Sequence, residues 1–154
     1  MSSKNQLIHI NRTELLRLAR QLDQDEMISW IRQTTGQDLT VTAFRRLMFQ
    51  MLPLEQAYQT EVLCFVRDNY PGAFVWKASA GPYSRQGIPD VCAIIDGHFF
   101  GFEIKRPYIG EATEIQKKTI RDINAAGGTA SVISFRHEAK EVIDKWMSSQ
   151  KKTK

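Results

Sequence analysis

The chain is poor in cysteine and histidine, with two cysteines and three histidines among its 154 residues. Cys64 and Cys92 both lie in apolar surroundings, so they predict buried thiols in a reducing compartment and exclude a disulfide framework or a zinc site. His9, His98 and His137 lack the spacing of a metal site, and we expect His98 to be exposed in a turn. Neither residue type therefore points to the chemistry of this protein.

Long apolar runs are also missing. No segment could span a bilayer, and the first residues lack the apolar core of a signal peptide, so we expect an intracellular, cytoplasmic protein without a membrane partner. The hydrophobic share of 42% and the charged share of 25% are ordinary for one globular domain with or without a small appendage. The formal net charge of +4 weakly favours an anionic partner, with nucleic acid first.

Residues 1–53 predict a small helical extension. Thr13 is expected to cap its first helix, and Pro53 stops its third. A helix-turn-helix interpretation, with Arg45 and Arg46 on the last helix, stays open. We favour the commoner alternative, in which these helices simply pack on a neighbouring core.

Residues 54–150 change to the order α-β-β-β-α-β-α. The pattern predicts helices over about 55–69, 113–126 and 137–147, strands at 74–78 and 129–135, and a β-hairpin over 88–105. The helix that connects the hairpin to the last strand forms a crossover, so the two strands that it joins should be parallel. The predicted fold class is therefore α/β, more narrowly an α+β fold with a mixed sheet and helices on both of its faces. Residues 151–154 are expected to form a basic tail.

The hairpin carries the most informative feature of the chain. Asp96-Gly97 between two β-rich runs is the strongest short-range hairpin signal, because both residues of the loop need a positive φ. Counting outward from that loop places Asp90 directly opposite Glu103. Lys105, two residues beyond Glu103, projects from the same face of the sheet.

Two carboxylates held this close repel each other, so they usually share a proton or bind a cation. The alternative is a structural cluster in which Lys105 offsets part of the repulsion. We favour the functional interpretation, because buried ionic clusters rarely repay their desolvation. Two carboxylates bind Mg²⁺ or Mn²⁺ together with water and substrate phosphate, which is the equipment of phosphodiester hydrolysis.

These residues resemble a known signature. Pro89-Asp90, a short spacer and Glu103-Ile104-Lys105 are similar to the motif of the PD-(D/E)XK nuclease superfamily, and the order of elements resembles its restriction-endonuclease-like αβββαβ core. More narrowly, the chain resembles the virus-type replication-repair nuclease domain, VRR-NUC. That resemblance rests on the following segments: Trp76-Lys77, Gly87-Ile88-Pro89-Asp90, Glu103-Ile104-Lys105-Arg106-Pro107, Gln116 and Ala125-Ala126-Gly127-Gly128. It covers roughly Glu55 to Met147.

The resemblance implies roles for individual residues. Asp90 and Glu103 would ligate the metal, with the Ile104 carbonyl as a further ligand, and Lys105 would position or activate the attacking water. The superfamily often adds an acid from the helix before the first strand, and Glu61 is the first choice for it. One alternative is that Glu55 is that acid. Another is that Glu61 is an ordinary solvated charge on the helix surface.

The resemblance also implies a surface for DNA. Gln116 would touch the metal-bound water or the DNA backbone, unless it is an ordinary exposed residue. Arg85, Arg106 and Lys77 are candidate phosphate contacts, and the alternative for each is a charge that serves solubility.

The function expected from the resemblance is that of a Mg²⁺- or Mn²⁺-dependent deoxyribonuclease, with no small-molecule cofactor. Family members that stand alone are similar to Holliday-junction resolvases and commonly act as homodimers, so branched or flapped DNA and a role in DNA repair are the expectation. One alternative is a non-catalytic protein that binds DNA or a partner on a nuclease fold. A third interpretation is another metal-dependent hydrolysis.

Overall fold

The computed structural model describes residues 9–79 and 81–151, and within them the chain forms six helices and a four-stranded mixed sheet. The chain divides into two compact units. The first contains the described residues up to Leu52 together with Pro107–Ile109, and the second contains Pro53–Arg106 and the described residues from Gly110 onward. Among the described residues, no helix has both the length and the apolar character needed to cross a membrane.

The first unit contains α1 (Arg12–Leu18), α2 (Gln24–Thr35) and α3 (Val41–Met51). Each helix begins at a side-chain cap, from Asn11, Asp23 and Thr40 respectively. The expectation that Thr13 caps the first helix is wrong, because the Asn11 side chain already accepts the N–H of Glu14 and leaves Thr13 inside the first turn. The core residues of this unit are Leu15, Ala19, Met27, Ile31, Phe44, Met48 and Leu52.

The segment Pro107–Ile109 is bound within the first unit by hydrogen bonds to its backbone and its tyrosine. The Arg45 guanidinium donates to the carbonyls of Tyr108 at 3.1 Å and Ile109 at 3.2 Å. The Tyr108 hydroxyl donates to the Leu22 carbonyl at 2.7 Å, and its ring packs edge-on against Phe44. Arg45 thus serves the packing within the helical unit.

The second unit follows the predicted order of elements. It contains α4 (Glu55–Asn69), β1 (Phe74–Lys77), β2 (Val91–Ile95), β3 (His98–Ile104), α5 (Glu114–Ala125), β4 (Thr129–Ile133) and α6 (Arg136–Lys151). The last helix continues about one turn further than the sequence pattern predicts, so Lys151, expected in a basic tail, is helical. Residues 152–154 of that tail lie outside the described residues.

The sheet has the strand order β1-β2-β3-β4, with β3 and β4 parallel and the other pairs antiparallel. The predicted hairpin register is confirmed: Ile95 pairs with His98, and Val91 pairs with Phe102 without an intervening bulge. Both loop residues have the required positive φ, 50° at Asp96 and 78° at Gly97. The predicted parallel pairing across α5 is also confirmed.

The two faces of the sheet differ in character. On one face, strand residues such as Ala93, Phe100 and Phe102 form the core with α4 and α6. Glu103 projects from the other face, where Gln116 of α5 reaches it. Ile94, on the same face as Glu103, is 42% exposed.

The sequence pattern predicts an exposed His98, and that prediction is wrong. Its ring stacks on Trp146 at a centroid distance of 4.3 Å, and its Nε2 lies 2.8 Å from the Thr129 hydroxyl. Burial lowers the pKa of His98, which favours the neutral imidazole. The imidazole is therefore part of the packing between β3 and α6.

Candidate active site

Asp90 stands immediately before β2, at the end of the hairpin ladder. Its backbone carbonyl accepts the N–H of Ala78 at 2.8 Å, and its Oδ2 accepts the N–H of Ile104 at 2.8 Å. The second bond ties the carboxylate to the neighbouring strand β3, beside Glu103. The side chain of Asp90 is thus oriented by the sheet itself, as the hairpin register requires.

Glu103 is the only one of the 17 acidic residues whose side chain is nearly fully enclosed within the described part of the chain, at 1% exposure. Its Oε1 accepts hydrogen bonds from Lys105 Nζ at 2.9 Å and from Gln116 Nε2 at 2.5 Å. Its buried Oε2 has no hydrogen-bond partner. The neighbouring Asp90 carboxylate can serve that oxygen only if a proton or a cation lies between them, because two ionised carboxylates have no donor.

The protonation of Glu103 reflects this enclosure. Burial raises the pKa of Glu103 to about 7, the hydrogen bond from Lys105 opposes that rise, and the charge of Asp90 adds to it. The pKa of this carboxyl group is therefore near neutral pH, where binding of a cation can displace its proton.

Lys105 is a half-buried cation whose side chain is 13% exposed. Burial alone would lower its pKa, but the hydrogen bond to Glu103 and the charges of Glu103, Glu55 and Asp90 outweigh burial and raise it. An ammonium group with a raised pKa is fully charged at neutral pH. Lys105 therefore suits electrostatic stabilisation and orientation, and it is a poor general base.

Gln116 is half-buried and is not the ordinary exposed residue of the alternative interpretation. Its Oε1 accepts the N–H of Thr113 while Thr113 Oγ1 accepts the N–H of Gln116, which is a reciprocal capping box at the start of α5. Its Nε2 donates to Glu103. The amide thus links the first turn of α5 to the buried carboxylate and orients it.

The third acid is not assembled with this pair. Glu61 lies with its carboxylate 3.4 Å from Arg136 Nε, and within residues 9–79 and 81–151 no group of three or more His, Cys, Asp or Glu side chains is placed to hold a metal ion. Glu55, the alternative, acts electrostatically on Lys105. Of the two candidates, the arrangement favours Glu55.

The remaining predicted residues are spread around this centre. Lys77 is exposed at the end of β1, Arg85 is exposed in the loop before Asp90, and Arg106 is half-buried directly after Lys105. Ile104 contributes its N–H to Asp90, and its own side chain is buried in the core. Arg85 and Asp90 therefore line the same cavity, whereas Lys77 lies at the end of a strand.

Sequence reasoning missed the bond between Gln116 and Glu103. The Thr113-x-x-Gln116 spacing is a capping-box signature and signals that this glutamine is engaged at the start of a helix. Gln59, one of three buried polar side chains among the described residues, was also missed. A glutamine on a helix of mixed polarity offers no comparable signal.

The residues present fit a divalent cation. Asp90 and Glu103 supply hard oxygen ligands, and the unserved Oε2 of Glu103 is the acceptor that such an ion would satisfy. Cys92 adds nothing to the chemistry, because burial followed by the charges of Asp90 and Glu103 raises its pKa to about 11 and keeps it a thiol. The site is therefore one of oxygen ligands and a cationic side chain.

Comparisons with protein-family models, with curated proteins and with solved structures find no significant match to this chain.

Proposed function

We propose that this chain is a Mg²⁺- or Mn²⁺-dependent nuclease that hydrolyses phosphodiester bonds in DNA. The observation that carries the proposal is the Asp90–Glu103 pair, in which the enclosed Glu103 has one carboxylate oxygen without a hydrogen-bond partner and Lys105 Nζ 2.9 Å from the other. A buried, unsatisfied charge costs folding free energy, so its presence is best explained by a ligand that satisfies it.

The order of elements supports the same interpretation. From α4 onward it is α-β-β-β-α-β, followed by α6, with an antiparallel hairpin leading into a parallel pair. This is the order expected of the restriction-endonuclease-like core of the PD-(D/E)XK superfamily and of VRR-NUC domains, and it supports the proposal. In such a core, Asp90 and Glu103 would be the metal-binding acids.

In the proposed mechanism, Asp90, Glu103 and the Ile104 carbonyl would hold the cation. When bound, the cation would supply acidification of a water and neutralisation of charge on the scissile phosphate. The N–H of Ile104 and the amide of Gln116 fix the two carboxylates in place. Lys105 keeps its proton and orients the attacking water or stabilises the charge that develops on the phosphate. Arg85 and Arg106 would contact phosphates along the strand.

Cleavage assays on supercoiled plasmid, flap and four-way-junction DNA test the proposal, with Mg²⁺, with Mn²⁺ and with EDTA. We expect metal-dependent cutting, and Lys105→Ala and Asp90→Ala should each reduce the rate by about 10²–10³-fold. Lys140→Ala is the matched control, since Lys140 also pairs with a carboxylate, that of Asp144, on the exposed surface of α6.

The outcome of the assays decides between the proposal and its alternatives. If Lys105→Ala and Asp90→Ala both cut as fast as the wild type, the assignment of the site is wrong. DNA binding without cleavage of any substrate would favour a non-catalytic binding protein on the same fold. Faster cutting of the junction or flap than of linear duplex would support branched DNA as the substrate. Sedimentation then tests whether the chain forms a homodimer with two metal sites.

A further inference from the structure

A cavity of about 350 Å³ opens beside the acidic pair, within the second unit. One wall is the loop before β2, with Ser84, Arg85 and Gln86, and the other is the first turn of α5, with Ile115 and Gln116. Asp90 also lines it. A ligand in this cavity would therefore lie against Asp90, one of the two carboxylates proposed to hold the metal.

The cavity has a fixed floor because its loop is packed against α5 at Gly87. Gly87 has a φ of 80°, and a Cβ at this position would lie 2.8 Å from Thr119 Oγ1 and 2.9 Å from the Ile115 carbonyl oxygen. Only glycine combines that backbone angle with so close an approach. The loop is thus held to the helix at its C-terminal end, and the cavity is part of the folded structure.

The lining combines the two kinds of surface that a nucleotide needs. Ala78, Ile88 and Ile115 supply apolar area for the face of a base, while Ser84 and Gln86 supply hydrogen-bonding groups for its edge. Arg85 adds a cation for a phosphate, and its charge also acts on Asp122 of α5. A volume of about 350 Å³ is in the range of small-molecule sites and far too small for a duplex.

We propose that this cavity receives one unpaired nucleotide of the substrate, next to the scissile phosphate. This inference rests on the proposed function, because the nucleotide is placed by a phosphodiester bound at the acids. A base within an intact stack cannot enter a cavity of this kind, whereas a flap, a gap or a branch point supplies an unpaired base without the energy cost of unstacking. The cavity would thus make the enzyme prefer interrupted or branched DNA over continuous duplex.

Binding of free deoxynucleoside 5′-monophosphates to the full chain, with Mg²⁺ and with EDTA, tests the cavity without any need for catalysis. Ser84→Trp places an indole in the lining, and Tyr83→Trp adds the same group one residue away, at a side chain that is fully exposed. We expect Ser84→Trp to weaken binding by about tenfold or more and Tyr83→Trp to change it by less than about twofold. Equal binding by the two variants overturns the proposal.

A second measurement does not depend on the folding of a variant. Titration of the wild type with the same monophosphates, followed by ¹H–¹⁵N NMR, should shift the amide signals of Ser84, Gln86, Gly87 and Ile115. Shifts confined to other parts of the chain, or no shifts at millimolar ligand, overturn the proposal.

Cleavage then separates this inference from the proposed function. The substrates are a nicked duplex and the same duplex with one unpaired nucleotide at the nick, and the wild type should cut the second at least about tenfold faster. Ser84→Trp should abolish that preference while retaining metal-dependent cutting of the nicked duplex. If nothing is cut but the monophosphates still bind in the cavity, the proposed function fails and the nucleotide site stands.

Discussion

Each unit of this chain contains a charged side chain that is at least half-buried, and the two charges differ in their hydrogen bonding. In the helical unit, the Arg45 guanidinium donates to two backbone carbonyls, so its hydrogen bonds hold the segment Pro107–Ile109. In the sheet unit, Glu103 is more deeply buried, and yet its Oε2 has no partner. A satisfied buried charge stabilises a fold, whereas an unsatisfied one marks a place where a ligand is expected.

The apolar cores of the two units do not show this contrast. The helical unit packs Leu, Met, Ile and Phe side chains between helices, and the sheet unit packs Val, Ile and Phe between the sheet and α4 and α6. Both cores are built from aliphatic and aromatic side chains. The difference between the units therefore lies in their polar groups, and three substitutions can test it.

The largest effect is expected at Arg45. Arg45→Met keeps much of the side-chain volume and removes the donors to the Tyr108 and Ile109 carbonyls, so it should lower the free energy of unfolding by about 3 kcal/mol. Chemical denaturation of the full chain measures the change. Arg46→Met is the matched control, since Arg46 is the exposed neighbour on α3 and should change stability by less than about 0.5 kcal/mol. Equal effects of the two substitutions would show that Arg45 has no special part in the packing.

Glu103→Gln should act in the opposite direction. The folded-state pKa of about 7 lies above the ordinary value of 4.5, so the contribution of Glu103 to stability is fully present below pH 4.5 and is lost as pH rises through 7. The amide cannot ionise, so at pH 8 in EDTA the variant should be about 2 kcal/mol more stable than the wild type while losing its metal-dependent cleavage.

The pH profile of thermal unfolding checks this prediction. The difference in stability between the variant and the wild type should shrink as pH falls from 8 towards 4.5, where Glu103 is protonated in both the folded and the unfolded state. Glu114→Gln is the control, because Glu114 is an exposed residue of α5 and pairs only at the surface with Lys117. A variant that is less stable than the wild type at pH 8 would show that the Glu103 carboxylate is structural.

The smallest effect is expected at Tyr108. Tyr108→Phe keeps the ring against Phe44 and removes the hydroxyl that donates to Leu22, so the free energy of unfolding should fall by about 1 kcal/mol. Urea denaturation resolves a change of that size when Tyr83→Phe, at a fully exposed ring, serves as the reference. No difference between the two variants would mean that water serves the Leu22 carbonyl equally well.

The local parts of this structure were predictable from the sequence. Asp96-Gly97 selects a two-residue loop, and the side-chain period of two then determines which residues face each other along the hairpin. The crossover through α5 determines that β3 and β4 are parallel, because a connection that contains a helix is long enough for the chain to begin the next strand in the same direction.

Several features that the sequence pattern does not reveal are contacts between elements that are distant in sequence. His98 stacks on Trp146, 48 positions later in the chain, and a turn pattern contains no information about that partner. Arg45 donates to carbonyls more than 60 positions away. Glu61 had the spacing expected for a third acid, but the approach of α6 brings Arg136 to it.

By itself, the sequence determined the acidic centre: the turn chemistry of Asp96-Gly97 and the alternation of strand residues place Asp90 beside Glu103, with Lys105 on the same face. These are effects of short-range sterics and hydrogen bonding, which operate within one hairpin. Only the tertiary structure decided how that centre is enclosed. The packing of α5 brings Gln116 to one oxygen of Glu103 and leaves the other without a partner, because burial depends on which distant elements meet.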